Sequence, residues 1–188
     1  VRVPADQRPG EYKGEVRLLA GGKPLARLPY RLRVYAATVP SPIPLAITNY
    51  MNLSDGFFKR HFGISRDSPE GWEAIGNIAR FLGQYHQNGV FQNTPRLVRA
   101  RLENGVMRYS FDDFDRFFGT FIDAGVNANI QGGNLMSRER RKGATIMVEA
   151  WVEENGQPVL TRIPLEDPRS RAFLNSYLPA LYLHLRAK

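Results

Sequence analysis

The stretch from Ser110 to Asn134, SFDDFDRFFGTFIDAGVNANIQGGN, decides the fold class. Ser110-Phe111-Asp112-Asp113 reads as a capping-box variant with Asp in place of Glu. Phe111, Phe114, Phe118 and Phe121 recur at helical spacing, and Gly125 stands where a helix C-terminal cap belongs. Val126 to Ile130 then reads as a strand that ends in the polar group Gln131-Gly132-Gly133-Asn134. A helix feeding a short apolar strand is the repeating unit of a parallel sheet.

The same grammar extends toward the N-terminus. Leu45-Ala46-Ile47-Thr48 is a short strand ending in Asn49-Tyr50, and a long connection follows. Ser68 is then an N-cap, Pro69 occupies the first helical position and Glu70 lies in the first turn. Trp72, Ile75, Ala79, Leu82 and Tyr85 form the apolar stripe of that helix, with Gly89 placed to end it, and Val90-Phe91-Gln92 reads as the next strand. Toward the C-terminus, residues 144–165 read as an inserted hairpin turning at Asn155-Gly156. Ile146, Val148, Ala150 and Val152 share one face of it, with Val159, Thr161 and Ile163 in the return. Asp167-Pro168 opens a last helix with the stripe Leu174, Tyr177 or Leu178, Leu181 and Leu185, in which Pro179 predicts a kink or restart.

The first forty residues follow a period of two. Tyr12, Gly14, Val16, Leu18 and Ala20 lie on one face, Gly21-Gly22 supplies a turn, and Ala26 to Val34 returns. Two strands cannot bury a core in water, so residues 1–38 read as the C-terminal part of a β-sandwich. Residues 39–44, Val-Pro-Ser-Pro-Ile-Pro, read as a stiff connector, and residues 45–188 as about three β/α units. A barrel of eight such units needs about 250 residues. The expected fold class is therefore α/β: the end of a β-sandwich, then the first part of a (β/α)8 TIM-type barrel with the inserted hairpin near 144–165, in a truncated chain.

Composition narrows the function. The chain has 188 residues, 43% apolar and 23% charged, no cysteine, and no apolar run near the roughly 20 residues of a membrane span. Disulfides, thiolate metal sites and thiol nucleophiles are excluded. The compartment stays open. Of the net charge of +8, residues 1–42 carry eight basic against three acidic residues. Arg27, Arg31 and Arg33 alternate with apolar residues there, as the wet face of a strand does, and no stacking aromatics line a basic groove. Nucleic acid is not the expected partner. The loop cluster Arg138, Arg140, Arg141 and Lys142 is the better anion-binding candidate.

The acidic pairs Asp112-Asp113, Glu153-Glu154 and Glu166-Asp167 sit at a helix start, beside a turn and at a helix cap, so each has a structural task. His61, His86 and His184 lack metal-ligand spacing, and Gly132-Gly133 belongs to no phosphate-binding fingerprint. No metal or cofactor is expected, and no serine nucleophile elbow occurs. Position supplies the remaining candidates, because barrel ligands sit at the C-terminal ends of the strands. Those ends are Asn49-Tyr50, Gln92-Asn93-Thr94 and Gln131 to Asn134, rich in amides, neutral and partly aromatic, which suits hydroxyl-bearing substrates better than phosphates. Asn49, Tyr50, Gln131 and Asn134 are the candidate substrate-binding residues. Trp151 on the inserted hairpin is a candidate for stacking on a sugar face, against the commoner packing role of a half-buried strand Trp.

Several segments resemble a known family. Pro9-Gly10-Glu11-Tyr12-Lys13-Gly14, Leu28-Pro29-Tyr30-Arg31-Leu32-Arg33-Val34-Tyr35 and Val39-Pro40 resemble the end of the β-sandwich that precedes the catalytic barrel in family 123 glycoside hydrolases. Tyr85-His86-Gln87-Asn88, Tyr109-Ser110-Phe111-Asp112-Asp113-Phe114-Asp115 and Phe173 to Leu185 agree with the barrel portion. The resemblance is to β-N-acetylgalactosaminidases and a wider set of relatives. It implies a carbohydrate substrate and a substrate-assisted retaining mechanism, in which the substrate's 2-acetamido oxygen attacks the anomeric carbon. An Asp steadies the oxazolinium, and the adjacent Glu serves as acid and then base. Asp followed by Glu occurs nowhere in the sequence, and Glu166-Asp167 is reversed at a helix cap, so neither role is transferred. The pair is expected beyond Lys188, and these 188 residues alone are expected to be inactive. Two other readings stay open: a non-catalytic carbohydrate-binding or scaffold protein on the same architecture, and a different barrel hydrolase behind a sandwich.

Overall fold

A computed structural model describes residues 3–38, 45–51, 53–139 and 145–188. The expected connector at 39–44 and the basic residues Arg140, Arg141 and Lys142 lie outside the described residues. The chain divides into two compact units, Val1–Pro44 and Leu45–Lys188.

The first unit is an antiparallel hairpin of β1 (Gly10–Ala20) and β2 (Lys23–Val34). Gly21 and Gly22 both take positive φ, 55° and 78°, the two-residue turn whose twist matches that of the strands. Tyr12 opposes Leu32, Gly14 opposes Tyr30 and Val16 opposes Leu28, so the expected apolar face exists. None of the described residues of this unit is buried, and Leu28 is 56% exposed.

The second unit carries the core. Its element order is β3 (Thr48–Asn49), α1 (Asp55–Phe62), α2 (Pro69–Gln84), β4 (Gly89–Phe91), β5 (Arg99–Glu103), β6 (Val106–Ser110), α3 (Asp112–Asp123), β7 (Asn129–Gln131), β8 (Met136–Arg138), β9 (Ile146–Glu154), β10 (Gln157–Pro164) and α4 (Pro168–Arg186). A 3₁₀ turn at Thr94–Leu97 follows β4. Strands β3, β4 and β7 form one parallel sheet in that order, linked through α2 and α3. The order β10-β9-β8 makes a second, antiparallel sheet, and β5 pairs with β6. This is a mixed α/β unit in which 45–49, 90–93 and 126–131 supply parallel strands as the alternation predicts, though each is only two or three residues long.

Helix α3 buries Phe114, Phe117, Phe118 and Phe121 against Ile75, Ala79 and Leu82 of α2 and against Val90. Truncating a buried aromatic such as Phe121 costs about 3–5 kcal/mol in general, so this stripe holds both crossover helices to the parallel sheet. The β9–β10 hairpin turns its Val148, Ala150 and Val152 face onto Phe173 and Tyr177 of α4 in the same core.

The structure corrects several local expectations. Gly89 does not end α2. That helix closes at Tyr85, with His86 in the left-handed region at φ 58°. Gln87 N–H donates to Leu82 O at 2.9 Å and His86 N–H to Gly83 O at 3.2 Å, the paired bonds of a Schellman cap. Gly89 instead opens β4, where a Cβ would lie 2.3 Å from Thr48 Oγ1. The pairing of β3 with β4 therefore requires glycine there. Tyr85 is 62% exposed and outside the stripe. Ser110 ends β6 and does not form the expected capping box: the N-cap of α3 is Phe111, with no side-chain cap bond, although Ser110 Oγ accepts from Asp112 N–H at 3.4 Å. Gly125 does close α3, through Gly125 N–H to Ile122 O and Val126 N–H to Phe121 O, each 2.9 Å. The connection after Tyr50 contains α1, capped by Ser54, whose Oγ accepts from Phe57 N–H at 3.2 Å. Helix α4 runs through Pro179 without a restart, and Leu178 and Leu185 are exposed. Asn104-Gly105 turns the β5–β6 hairpin with positive φ at both residues, an unread copy of the Asn155-Gly156 signal.

Candidate functional site

The C-terminal ends of β3, β4 and β7 lie side by side, and the four candidate residues gather there by backbone position. Asn49 pairs with Val90 in β3, though its side chain is outside the described atoms. Tyr50 follows it, 74% exposed, with its ring 4.6 Å from that of Phe91 at the end of β4. Gln131 ends β7 opposite Phe91, and its carbonyl accepts from Gln92 N–H at 3.1 Å. Asn134, exposed three residues on, donates its backbone N–H to Asn93 Oδ1 at 3.1 Å.

Two hollows open at this edge. The first, about 290 Å³, is lined by Tyr50, Met51, Leu53, Ser54, Phe91, Gln92, Asn93 and Arg96. The second, about 270 Å³, holds Asn134 and shares Phe91, Asn93 and Arg96 with the first. Amide, aromatic and guanidinium groups together can hydrogen-bond hydroxyls and cover an apolar ring face.

Asn93 ties the two hollows together. Thr94 N–H donates to Gly132 O at 3.2 Å, which holds the turn after β4 against the turn after β7. Gly133 sits at φ 76°, and a Cβ there would stand 2.2 Å from Asn93 Oδ1, so only glycine admits the Asn93 amide. The other end of that amide, Nδ2, donates to Glu149 Oε2 at 3.2 Å. Glu149 Oε1 accepts from Arg96 Nε at 2.8 Å and Nη2 at 2.7 Å, and the Glu149 side chain is only 13% exposed. The β9–β10 hairpin is thus ionically pinned to the strand ends.

Sequence reasoning overlooked Arg96 and Glu149. A signal existed for Glu149. It is an acid standing alone within the apolar run of β9, away from any cap or turn, whereas only adjacent carboxylates attract attention as pairs. Trp151 goes the bland way: its Nε1 donates to Pro95 O at 3.0 Å and its ring packs against the core, so it is no free stacking platform.

Several other titratable groups hold structure. Asp113 pairs with Arg99 at 2.8 Å, Glu153 Oε1 accepts from the turn residue Gly156 N–H at 3.2 Å, and Asp167 caps α4 by accepting from Arg169 N–H at 2.9 Å. His184 stacks on Phe111 and meets Asp115 at 2.7 Å, joining α4 to α3. Burial pushes the Asp115 carboxyl up, but Lys188 and His184 outweigh it and hold it below the ordinary range. Burial raises the Tyr177 phenol to about 12, with Thr94 opposing the shift. Buried Asn88 works at the opposite end of the sheet. It donates from Nδ2 to Leu45 O and accepts at Oδ1 from Ile47 N–H, which tethers the chain entering β3. Among the described residues no group of three His, Cys, Asp or Glu is placed to hold a metal ion, and no helix is long and apolar enough to cross a membrane.

Comparison with known proteins identifies the family. No curated protein matches the chain. The model of the glycoside hydrolase 123 catalytic domain matches residues 61–188, from the end of α1 through the parallel strands β4 and β7, the β9–β10 hairpin and α4. That span is well over half of the sequence, and it includes the Asn93–Arg96–Glu149 linkage and Asn134. The chain therefore belongs to glycoside hydrolase family 123, and its second unit carries catalytic-domain sequence of that family.

Proposed function

We propose that the protein is a glycosidase that cleaves terminal N-acetyl-β-hexosaminides by a substrate-assisted retaining mechanism. The observation that carries this reading is the coincidence of the family match with an amide-lined, aromatic-flanked edge at the ends of three parallel strands. On this reading the second unit is the opening part of a TIM-type barrel, and the first hairpin is the last part of a β-sandwich whose other strands cover Val16 and Leu28. Asn49, Tyr50, Gln131 and Asn134 bind the sugar, its hydroxyls meeting the amides and its apolar face meeting Tyr50.

The chemistry follows from the substrate. Its 2-acetamido oxygen attacks the anomeric carbon while the glycosidic C–O bond breaks, and an acid protonates the departing oxygen. Water, deprotonated by the same group, then opens the oxazoline with overall retention. The family's Asp-Glu dipeptide does not occur in the 188 residues, so the polarising and acid–base roles are assigned to no residue of this sequence. The 188 residues alone are accordingly inactive, with their task confined to substrate binding.

The test compares an aryl N-acetyl-β-galactosaminide with its N-trifluoroacetyl analogue and with the aryl β-galactoside, using the full-length protein. Fluorination weakens the acyl oxygen as a nucleophile, so kcat is expected to fall steeply for the analogue and to vanish without the acetamide. Equal rates on all three substrates overturn the mechanism. Tyr50→Ala and Gln131→Ala are each expected to lower kcat/KM several-fold, since one such contact contributes about 1 kcal/mol. Unchanged values in both folded variants remove these strand ends from the site.

A further inference from the structure

The second hollow at the strand ends has a charge balance that neutral sugar binding does not use. It is built from Asn93, Arg96, Asn134, Ser137, Glu149 and Arg162. Two guanidinium groups face a single carboxylate. Both oxygens of Glu149 are already occupied, Oε1 by Arg96 and Oε2 by Asn93, and little of that side chain reaches solvent. The carboxylate neutralises Arg96, whose fork is held by Nε and Nη2 while Nη1 makes no hydrogen bond among the described residues. Arg162 lies opposite Glu149 across the β9–β10 ladder, and its Nη2 donates to Ser137 Oγ at 2.6 Å. Among the described residues it enters no ion pair, and the residues outside the description include no acid that could supply one.

One positive charge is therefore left over in a concave site with uncommitted guanidinium donors. Fork-shaped donors suit the paired oxygens of a carboxylate or sulfate, and such charge-assisted bonds are about twice as strong as neutral ones. Because this hollow shares Phe91, Asn93 and Arg96 with the first, a group seated in it can belong to a saccharide that also occupies the strand ends.

We propose that this hollow is a subsite for an acidic substituent, a sulfate ester or a uronic acid carboxylate, on the glycan bound at the strand ends, with Arg162 as its principal cation and Glu149 fixing the Arg96 fork. The inference rests on the carbohydrate-binding reading above and narrows it to acidic glycans. Glu149 also limits the subsite, since its charge opposes an entering anion; the preference is accordingly moderate.

The experiment measures binding of three probes to the full-length protein by calorimetry at low salt: N-acetylgalactosamine, its 6-sulfate, and a disaccharide of N-acetylgalactosamine with glucuronic acid. At least one acidic probe is expected to bind roughly tenfold more tightly than the neutral sugar, the size of one charge-assisted contact, with the advantage shrinking as salt rises. The two acidic arms tell sulfate from carboxylate recognition. Arg162→Gln is expected to bring the affinity ratio close to one, and Arg162→Lys to leave an intermediate ratio, because lysine keeps the charge and loses the fork. Hydrogen-exchange mapping of the wild type with the preferred acidic probe is expected to protect residues 134–138, which keeps the test decisive even if the glutamine variant does not fold. Equal affinity for acidic and neutral probes, an unchanged ratio in folded Arg162→Gln, or protection confined to other segments overturns the subsite. Hydrolysis of the neutral aryl substrate is a separate readout. Its absence in the wild type removes the reaction proposed above, while the affinity ratio decides the subsite independently.

Discussion

Two hairpins in this molecule share one local plan and differ in what covers them. β1–β2 and β9–β10 each alternate apolar and polar residues, and each turns through two consecutive positive-φ residues, Gly21-Gly22 and Asn155-Gly156. In the second, Val148 is fully buried and Val152 is 3% exposed beneath α4, whereas in the first, Val16 is 52% exposed and Leu28 is 56% exposed. Alternation and turn chemistry specify a hairpin and its two faces. A further layer decides whether either face becomes core, because burial needs an opposing surface.

The largest effect expected from this contrast is a pair of substitutions. Val148→Asp places an unpartnered carboxylate in the core, and the second unit is expected to lose more than about 3 kcal/mol in denaturant unfolding of the 188-residue chain. Leu28→Asp on the exposed face is expected to stay within about 0.5 kcal/mol in the same chain. If a sandwich layer covers that face in a longer protein, the same Leu28→Asp change becomes as costly there as Val148→Asp. A small effect in both settings removes the sandwich proposal.

The turns give the next effect. Gly156→Ala forces a Cβ into the left-handed region at φ 76°, at a cost of about 1–2 kcal/mol, read as a lowered unfolding midpoint. Gly22→Ala, at φ 78°, is expected to speed amide exchange in β1 and β2 for the same local reason, although burial differs completely between the hairpins. Protection unchanged by Gly22→Ala would mean that the turn does not govern the uncovered hairpin. A smaller change of opposite sign is expected at the Schellman cap of α2. His86 already occupies a left-handed conformation, so His86→Gly is expected to stabilise by about 0.5–1 kcal/mol and raise Tm.

The smallest expected effect is electrostatic, on an exposed helix start. Asp55, at the first turn of α1, has its pKa lowered to about 2 by Lys59 first, then by Ser65 Oγ at 2.8 Å and Arg66 N–H at 3.0 Å. A carboxylate with a depressed folded pKa contributes stability above its unfolded value of about 3.9. That contribution is lost as pH falls through the folded value. Wild-type stability is thus expected to decline relative to Asp55→Asn between about pH 4 and 2. Parallel acid-unfolding curves of the two proteins would remove Asp55 as a contributor. Exposure and salt keep the effect small.

Much of the site was legible in part only. Tyr50, Gln131 and Asn134 could be placed from the ends of apolar runs, because a parallel sheet brings successive strand ends to one edge whatever the loops between them do. Arg96 and Glu149 could not be paired that way. They are 53 residues apart, on a 3₁₀ turn and on β9, and no local pattern relates the two. The Asn104-Gly105 turn was as visible as Asn155-Gly156. Its flanks Arg99–Glu103 and Val106–Ser110 are short and charged, however, and Ser110 carries the local signature of a helix cap.

By itself the sequence determined what short range can settle: the two-residue turns, the apolar stripe of α3, the caps at Ser68 and Asp167, the alternation of strand and helix, and the family resemblance that the 61–188 match upholds. Backbone sterics, side-chain periodicity and local hydrogen bonds act within a few residues, so their traces survive in one dimension. Only the tertiary structure decided which apolar faces became core. It likewise decided that His86 closes α2 while Gly89 lets β3 approach β4, and that Glu149 is held between Arg96 and Asn93 at the strand ends. Each of those outcomes depends on an opposing group brought from far along the chain, and that proximity exists only after folding.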